Sequence, residues 1–217
     1  LRSLVGSEMC IRDSADPVPV DIVREAQNAL RSLKAELRPF VVIRPPFSLS
    51  ADDASKRRLI MRGDPLEIEL LLLNVMKNAA EAVQGLPDGG VLVKFRRETL
   101  PSPLAENPSP SPAAPSAEAV IVEVEDNGPR LSDEAFERLT RVSQSVKDEG
   151  LGLGLGIVRS LVEENGGRIA ITRREDLSGR GLRVTLCFDL DAEGLKAQSA
   201  PETDPADKSA AQGSPNV

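Results

Sequence analysis

Residues 64–83 read DPLEIELLLLNVMKNAAEAV, and their spacing decides how the rest of the chain is assembled. Ile68, Leu71, Leu72, Val75, Ala79, Ala82 and Val83 recur at i, i+3, i+4, i+7, i+11, i+14 and i+15. That is the stripe of a helix over Pro65–Val83 with one face turned to a core. Asn74, Asn78 and Glu81 lie on its shoulder, within ~60° of one another at ~100° per residue.

Outward from this helix, strands and shorter helices alternate. Toward the N-terminus, Asp21 is an N-cap candidate for a helix whose apolar positions Ile22, Val23, Ala26, Leu30, Leu33 and Leu37 end near Pro39. FVVI (40–43) reads as a strand stopped by Pro45-Pro46, and RLIM (58–61) as a second closed by Gly63-Asp64. Toward the C-terminus, Val91–Phe95 and Ala119–Val124 read as strands joined by a loop at 101–117, which six prolines make extended and poor in core. A short helix is expected at 133–139, another at 153–164 ahead of Gly166-Gly167, and strands at 168–174 and 181–190. Without a regular βαβ repeat, the expected fold class is α/β with a single mixed sheet and helices on one face.

The chain has 217 residues, 40% hydrophobic and 28% charged, enough for one domain of ordinary size, and no apolar run approaches the ~18 residues of a membrane span. There is no histidine, which removes Ser-His-Asp triads, His-ligated zinc and an imidazole base; two cysteines cannot make a four-cysteine metal site. A net charge of −7, with no Trp or Tyr and five Phe, offers neither a phosphate-tracking face nor stacking platforms, so no nucleic-acid partner is expected.

The chain opens on Leu1, and residues 4–14, LVGSEMCIRDS, back-translate into a string that resembles the transposon-end adapter of sequencing libraries. Residues 1–14 are therefore read as adapter read-through and set aside, with the gene expected to continue upstream. Cys10 goes with them, leaving Cys187 as an expected packing cysteine in an alternating strand. Residues 192–217, rich in Ala, Pro, Ser and acid, are expected to form a disordered tail.

Three elements carry chemistry. An amide pair at i, i+4 beside a core edge, Asn74 and Asn78, is either solvated surface or a neutral oxygen set for Mg2+ that already carries phosphate oxygens. VEVEDNGPRL (122–131) runs a strand into Asp126-Asn127-Gly128, either a hairpin turn or a carboxylate fixed at a strand end, where it can accept from an exocyclic amine while the glycine lets backbone approach a flat ring. GLGLGLGIV (150–158) opens a helix with several free backbone N–H groups, an anion site. It is neither a dinucleotide fingerprint nor a Walker loop, since no strand ends directly before it and no Gly-Lys-Ser/Thr follows.

Taken in order, these three elements resemble the N, G1 and G2 boxes of the GHKL ATPase superfamily, specifically the catalytic and ATP-binding domain of two-component sensor histidine kinases. DPLEIELLLLNVMKNAAEA is similar to the N box, EDNGP to the start of the G1 box, GLGLGLGIVRSLVEENGGRI to the G2 box, and GRGLRVTLCFDL to the last strand. The resemblance implies a Bergerat-type two-layer α/β sandwich over 15–191, with 132–151 as a lid over ATP·Mg2+. It implies Asn78 as the Mg2+ ligand assisted by Asn74, with Glu81 on the same helix face, and Asp126 on the adenine amine beside Gly128. It also implies Lys147 near the γ-phosphate, and Gly150, Gly152, Leu153, Gly154 and Leu155 around the phosphates.

Three positions depart from the pattern. Arg130 stands for the usual second glycine of the G1 box, the lid phenylalanines are missing from 139–147, and Leu182 stands where relatives often carry Thr. Hydrolases of the superfamily carry a general-base Glu one turn before the Mg2+ asparagine; here that residue is Asn74, which favours phosphoryl transfer. The implied acceptor is a histidine on a helical dimerisation domain upstream, and the implied downstream partner is a response regulator. The full-length protein is expected to be a homodimer and this fragment a monomer, on the cytoplasmic side whether or not the whole protein is anchored in the inner membrane. The alternatives are a nucleotide-responsive partner-switching module without kinase output and a serine kinase of the anti-sigma type.

Overall fold

The computed structural model describes residues 16–44, 58–100, 117–142, 153–177 and 180–194. A short strand β1 (Val18–Asp21) runs directly into helix α1 (Ile22–Ser32); a 3-10 turn at Arg38–Phe40 leads into β2 (Val41–Arg44), and β3 (Ile60–Gly63) into α2 (Pro65–Val83). There follow β4 (Val91–Leu100), β5 (Ala117–Asp126), α3 (Asp133–Val142), α4 (Leu153–Glu164), β6 (Arg168–Arg173) and β7 (Leu182–Asp189).

Five strands form one mixed sheet in the order β2-β4-β5-β7-β6, with β2 parallel to β4 and the other pairs antiparallel. The pleat turns Val91, Val93 and Phe95 of β4, Val120, Val122 and Val124 of β5, and Leu186 and Phe188 of β7 toward one face, where they join the buried residues of α1, α2 and α4 in a single core. This is the two-layer α/β sandwich expected from the sequence. One addition is a separate antiparallel pair, β1 with β3, whose register sets Val18 opposite Gly63. The residues that follow β7 close against it, with Asp191 N–H donating to the Ile60 carbonyl at 2.8 Å.

Helix α2 starts where it does because the Asp64 carboxylate accepts from the amides of Leu66 (2.8 Å) and Glu67 (3.3 Å), while Pro65 has no N–H to satisfy. Its buried side is wider than the periodic stripe: Met76 and Ala80 are also buried, because α1 and α4 both pack on it. Ala82, expected in the core, lies at the surface.

Helix α1 is shorter than its apolar spacing suggests. It stops at Ser32 because Leu33 is extended and the Arg38 guanidinium donates to the carbonyls of Arg31 (2.7 Å) and Leu33 (3.0 Å). Leu33 and Leu37 are nevertheless buried, so the spacing reported burial correctly and helix length incorrectly. Strands β4 and β5 are longer than their apolar centres, continuing to the pair Leu100–Ala117 through polar partners such as Arg97 and Glu118. Ala117, assigned to the loop from sequence, is thus the first residue of β5; the rest of the loop, residues 1–14 and residues 195–217 lie outside the described residues. Cys187 is half-buried on the face opposite the helices, and not a core cysteine as expected, because the alternation gives the inner face to Leu186 and Phe188.

Candidate functional site

The site forms where β5 ends against the last turns of α2. Asp126 is the final inward-facing residue of β5 and is 6% exposed. Its Oδ1 accepts from the Gly128 amide at 2.8 Å. Burial raises the pKa of this carboxyl above the ordinary aspartate value; the Gly128 and Leu182 amides and the charge of Arg174 oppose that shift without cancelling it.

Two glycines permit this approach. A Cβ on Gly128 would lie 2.8 Å from Asp126 Oδ1 and 3.3 Å from the Ala82 carbonyl, so only glycine lets the chain pass between α2 and the carboxylate. Gly181 has φ +70°, and a Cβ there would overlap the Asp126 carbonyl oxygen. The adjoining backbone is fastened from several sides. The Asn127 side chain accepts from the Gly90 amide (2.8 Å) and donates to the Asp88 carbonyl (2.6 Å). Arg174 donates to the Asp126 carbonyl (3.2 Å), and Arg180 to that of Asn127 (3.1 Å).

In front of Asp126 lies a cavity of about 280 Å³. Val75, Asn78, Ala79 and Ala82 of α2 form one wall; Val124 and Asp126 of β5, Leu182 and Val184 of β7 and Ile171 of β6 form the floor. Pro129, Leu131, Leu139 and Leu155 close it. Among the described residues only Asn78 and Asp126 bring polar side chains to it, an arrangement suited to a flat apolar ring oriented by a few polar contacts. A larger groove of about 670 Å³ lies elsewhere, between β3 and the end of β7. Its polar groups are engaged with one another, Asn165 with Glu67 and the Asp64 amide, and Asp191 with Arg62 and the Gly194 amide.

Of the residues singled out from sequence, Asn78, Asp126 and Leu155 line one cavity, with Gly128 bonded to Asp126. Asn74 is apart from them: its Nδ2 donates to the Leu70 carbonyl one turn back at 2.8 Å. Glu81 is half-exposed and pairs with Lys77 at 3.8 Å. Leu153 and Gly154 open α4, while Lys147, Gly150 and Gly152 lie outside the described residues. Leu182 faces the cavity, and Arg130 is exposed beside Phe136, Arg173 and Arg174. Sequence reasoning missed Leu131, Leu139 and Ile171 as cavity residues; the apolar alternation Ile169, Ile171 in β6 was the available signal. Among the described residues no group of three or more Cys, Asp or Glu could hold a metal by itself. No described helix is long and apolar enough to cross a membrane.

The chain is 30% identical over 142 residues to the nitrogen regulation protein NtrY of Azorhizobium caulinodans, covering 63% of this chain and 16% of that protein. It is 33% identical over 109 residues to the sensory histidine kinase/phosphatase NtrB of Klebsiella oxytoca, covering 50% of this chain and 29% of NtrB. The chain thus spans less than a third of either relative. In fold it is similar to the mycobacterial sensor histidine kinase MprB, with a TM-score of 0.56 at 18% identity over 80% of this chain and 97% of that one. The family model described as histidine kinase-, DNA gyrase B- and HSP90-like ATPase matches residues 63–192, more than half of the chain. Because that match takes in α2, Asp126 and the whole floor of the cavity, the chain belongs to this ATPase family.

Proposed function

We propose that this chain is the ATP-binding catalytic part of a sensor histidine kinase, passing the γ-phosphoryl group of ATP to a histidine on another domain. The observation that carries the reading is the presence of Asp126 and Asn78 in one cavity whose other described lining residues are apolar. A carboxylate can only accept, and Asp126 is short of donors for its burial, so it suits the exocyclic amine of adenine between apolar walls. The relative named sensory histidine kinase/phosphatase NtrB supports the kinase reading over a non-catalytic nucleotide-responsive module.

Asn78 fits the cofactor the reaction needs. Mg2+ keeps several waters and takes most of its charge compensation from phosphates, so one neutral protein oxygen suffices where the described residues hold no cluster of acids. When bound, Mg2+ neutralises charge on the phosphates. Asn74 gives no base for water, and the chain has no histidine, so the phosphoryl acceptor comes from elsewhere. We assign that role to a helical dimerisation domain of the same longer protein, a homodimer on the cytoplasmic side, with a response regulator as the next acceptor.

Incubation with γ-labelled ATP tests the reading. Alone, the chain should neither label itself nor release phosphate above background; with a histidine-bearing dimerisation domain added, it should label that domain through an acid-labile, base-stable bond. Phosphate release by the isolated chain would point to a hydrolase. Tight ATP binding with no labelling of several acceptor domains would favour the nucleotide-responsive module.

A further inference from the structure

We propose that Arg173 is a positioning residue for nucleotide binding: it seats the first turn of α3 on the sheet and so sets one wall of the cavity. The inference rests on the reading of that cavity as the ATP site. Arg173 ends the edge strand β6, two residues beyond Ile171 on the same face, and Ile171 lines the cavity. Its guanidinium carbon lies 4.4 Å from the centroid of the Phe136 ring. Nη2 donates to the carbonyls of Leu131 (3.3 Å) and Ser132 (3.1 Å), and Nη1 is 2.8 Å from the Asp133 carboxylate. One side chain thus holds three successive residues and the ring one turn into the helix.

The held segment supplies part of the wall that closes the cavity. Leu131 lines it directly, and Leu139 lines it from the position i+3 to Phe136, on the same side of α3. A cation at a helix N-terminus opposes the helix dipole, so Arg173 gives α3 itself no benefit beyond what Asp133 offsets. Its planar fork serves to dock the helix, a geometry that lysine cannot reproduce. Nothing in the local sequence marks this arginine, since its partners lie about forty residues earlier.

Titration of a fluorescent ATP analogue with Mg2+ into wild type, Arg173→Ala, Arg173→Lys, Phe136→Leu and Asp126→Ala tests the proposal, with thermal unfolding of each nucleotide-free protein in parallel. Arg173→Ala should weaken affinity roughly fivefold to tenfold through faster dissociation, Arg173→Lys should recover only part of it, and Phe136→Leu should lose a few-fold. A merely structural role would lower the unfolding temperature and leave affinity unchanged. If Arg173→Ala does not fold, Phe136→Leu decides by the same criterion. Unchanged affinity in the folded Arg173 and Phe136 variants, while Asp126→Ala loses binding, overturns the role of Arg173 and leaves the ATP site standing. No binding by wild type overturns the ATP reading itself.

Discussion

Glu125 and Asp126 are successive residues of β5 whose carboxylates leave the sheet through opposite faces into opposite electrostatic settings. The Glu125 side chain is 2% exposed and meets Lys94 Nζ at 2.7 Å and Arg183 Nε at 2.8 Å. Burial works against its charge, but these two cations prevail and hold its carboxyl below the ordinary range. On the cavity side, burial raises the pKa of Asp126, and the amides of Gly128 and Leu182 offset it only in part. One carboxylate is satisfied within the fold; its neighbour retains accepting capacity toward a ligand.

Replacing Asp126 with Asn should stabilise the free protein at neutral pH. A carboxyl whose pKa is raised on folding contributes stability that is fully present below its unfolded pKa and lost as pH rises through the folded one. The unfolding temperature of Asp126→Asn should therefore exceed that of wild type at pH 7, with the gap closing as pH falls toward about 4. The same variant should bind ATP on the order of ten- to a hundredfold more weakly, since a hydrogen bond to a charged group is lost. A less stable Asn variant at neutral pH would contradict this.

Glu125→Gln should do the reverse, lowering stability at neutral pH by about 1–3 kcal/mol, a range kept below that of a fully buried pair because Lys94 and Arg183 are each about a third exposed. Its depressed pKa gives stability that is present above the unfolded glutamate pKa and lost as pH falls through the folded one. Urea titrations at pH 7 and in acid should show the wild-type advantage shrinking in acid. ATP affinity should not change, since the residue is on the far face of the sheet.

The two asparagines of α2 should separate sharply. Asn78→Ala should remove the Mg2+ dependence of ATP binding and cut phosphoryl transfer by ~100-fold or more, as loss of one charge-stabilising contact commonly does. Asn74→Ala should leave Mg2+-dependent binding within a few-fold of wild type, because its amide is engaged with the Leu70 carbonyl outside the cavity. Equal losses in the two variants would restore Asn74 as a ligand.

Gly181→Ala should destabilise the protein by ~2–4 kcal/mol, combining a left-handed backbone with overlap on the Asp126 carbonyl. Gly156→Ala is the control: its Cβ would meet nothing within 4 Å, and an alanine in a helix gains ~0.5–1 kcal/mol over glycine. Thermal unfolding of both variants checks the pair.

The site was legible where pattern and resemblance agreed. Asp126 stands at the end of an alternating strand before a glycine, and Asn78 on the shoulder of an apolar stripe, so period-2 and period-3.6 patterns made both candidates, and the resemblance to the G1 and N boxes set them apart from a hairpin turn and a solvated surface. The same patterns grouped Asn74 and Glu81 with Asn78, because the three lie within ~60° of one another; the cavity wall runs along Val75, Asn78, Ala79 and Ala82, so Asn78 stands at its edge and the other two fall beyond it. The early end of α1 was hidden because Leu33 and Leu37 keep helical spacing while buried from a turn. β1 went unread because VPVD is four residues long and contains a proline. Arg38 and Arg173 act through partners that only the fold brings near, one capping α1 and the other holding α3.

Calorimetric titration of ATP and GTP into the chain with Mg2+ present tests the central claim most directly. Asp126 can accept from the 6-amino group of adenine but meets a 6-oxo group in guanine with two acceptors face to face. ATP should therefore bind at least tenfold more tightly than GTP, and Asp126→Asn should erase most of that preference. Equal affinity for the two nucleotides in wild type, or a preference that survives in Asp126→Asn, would contradict the assignment of this cavity to the adenine ring.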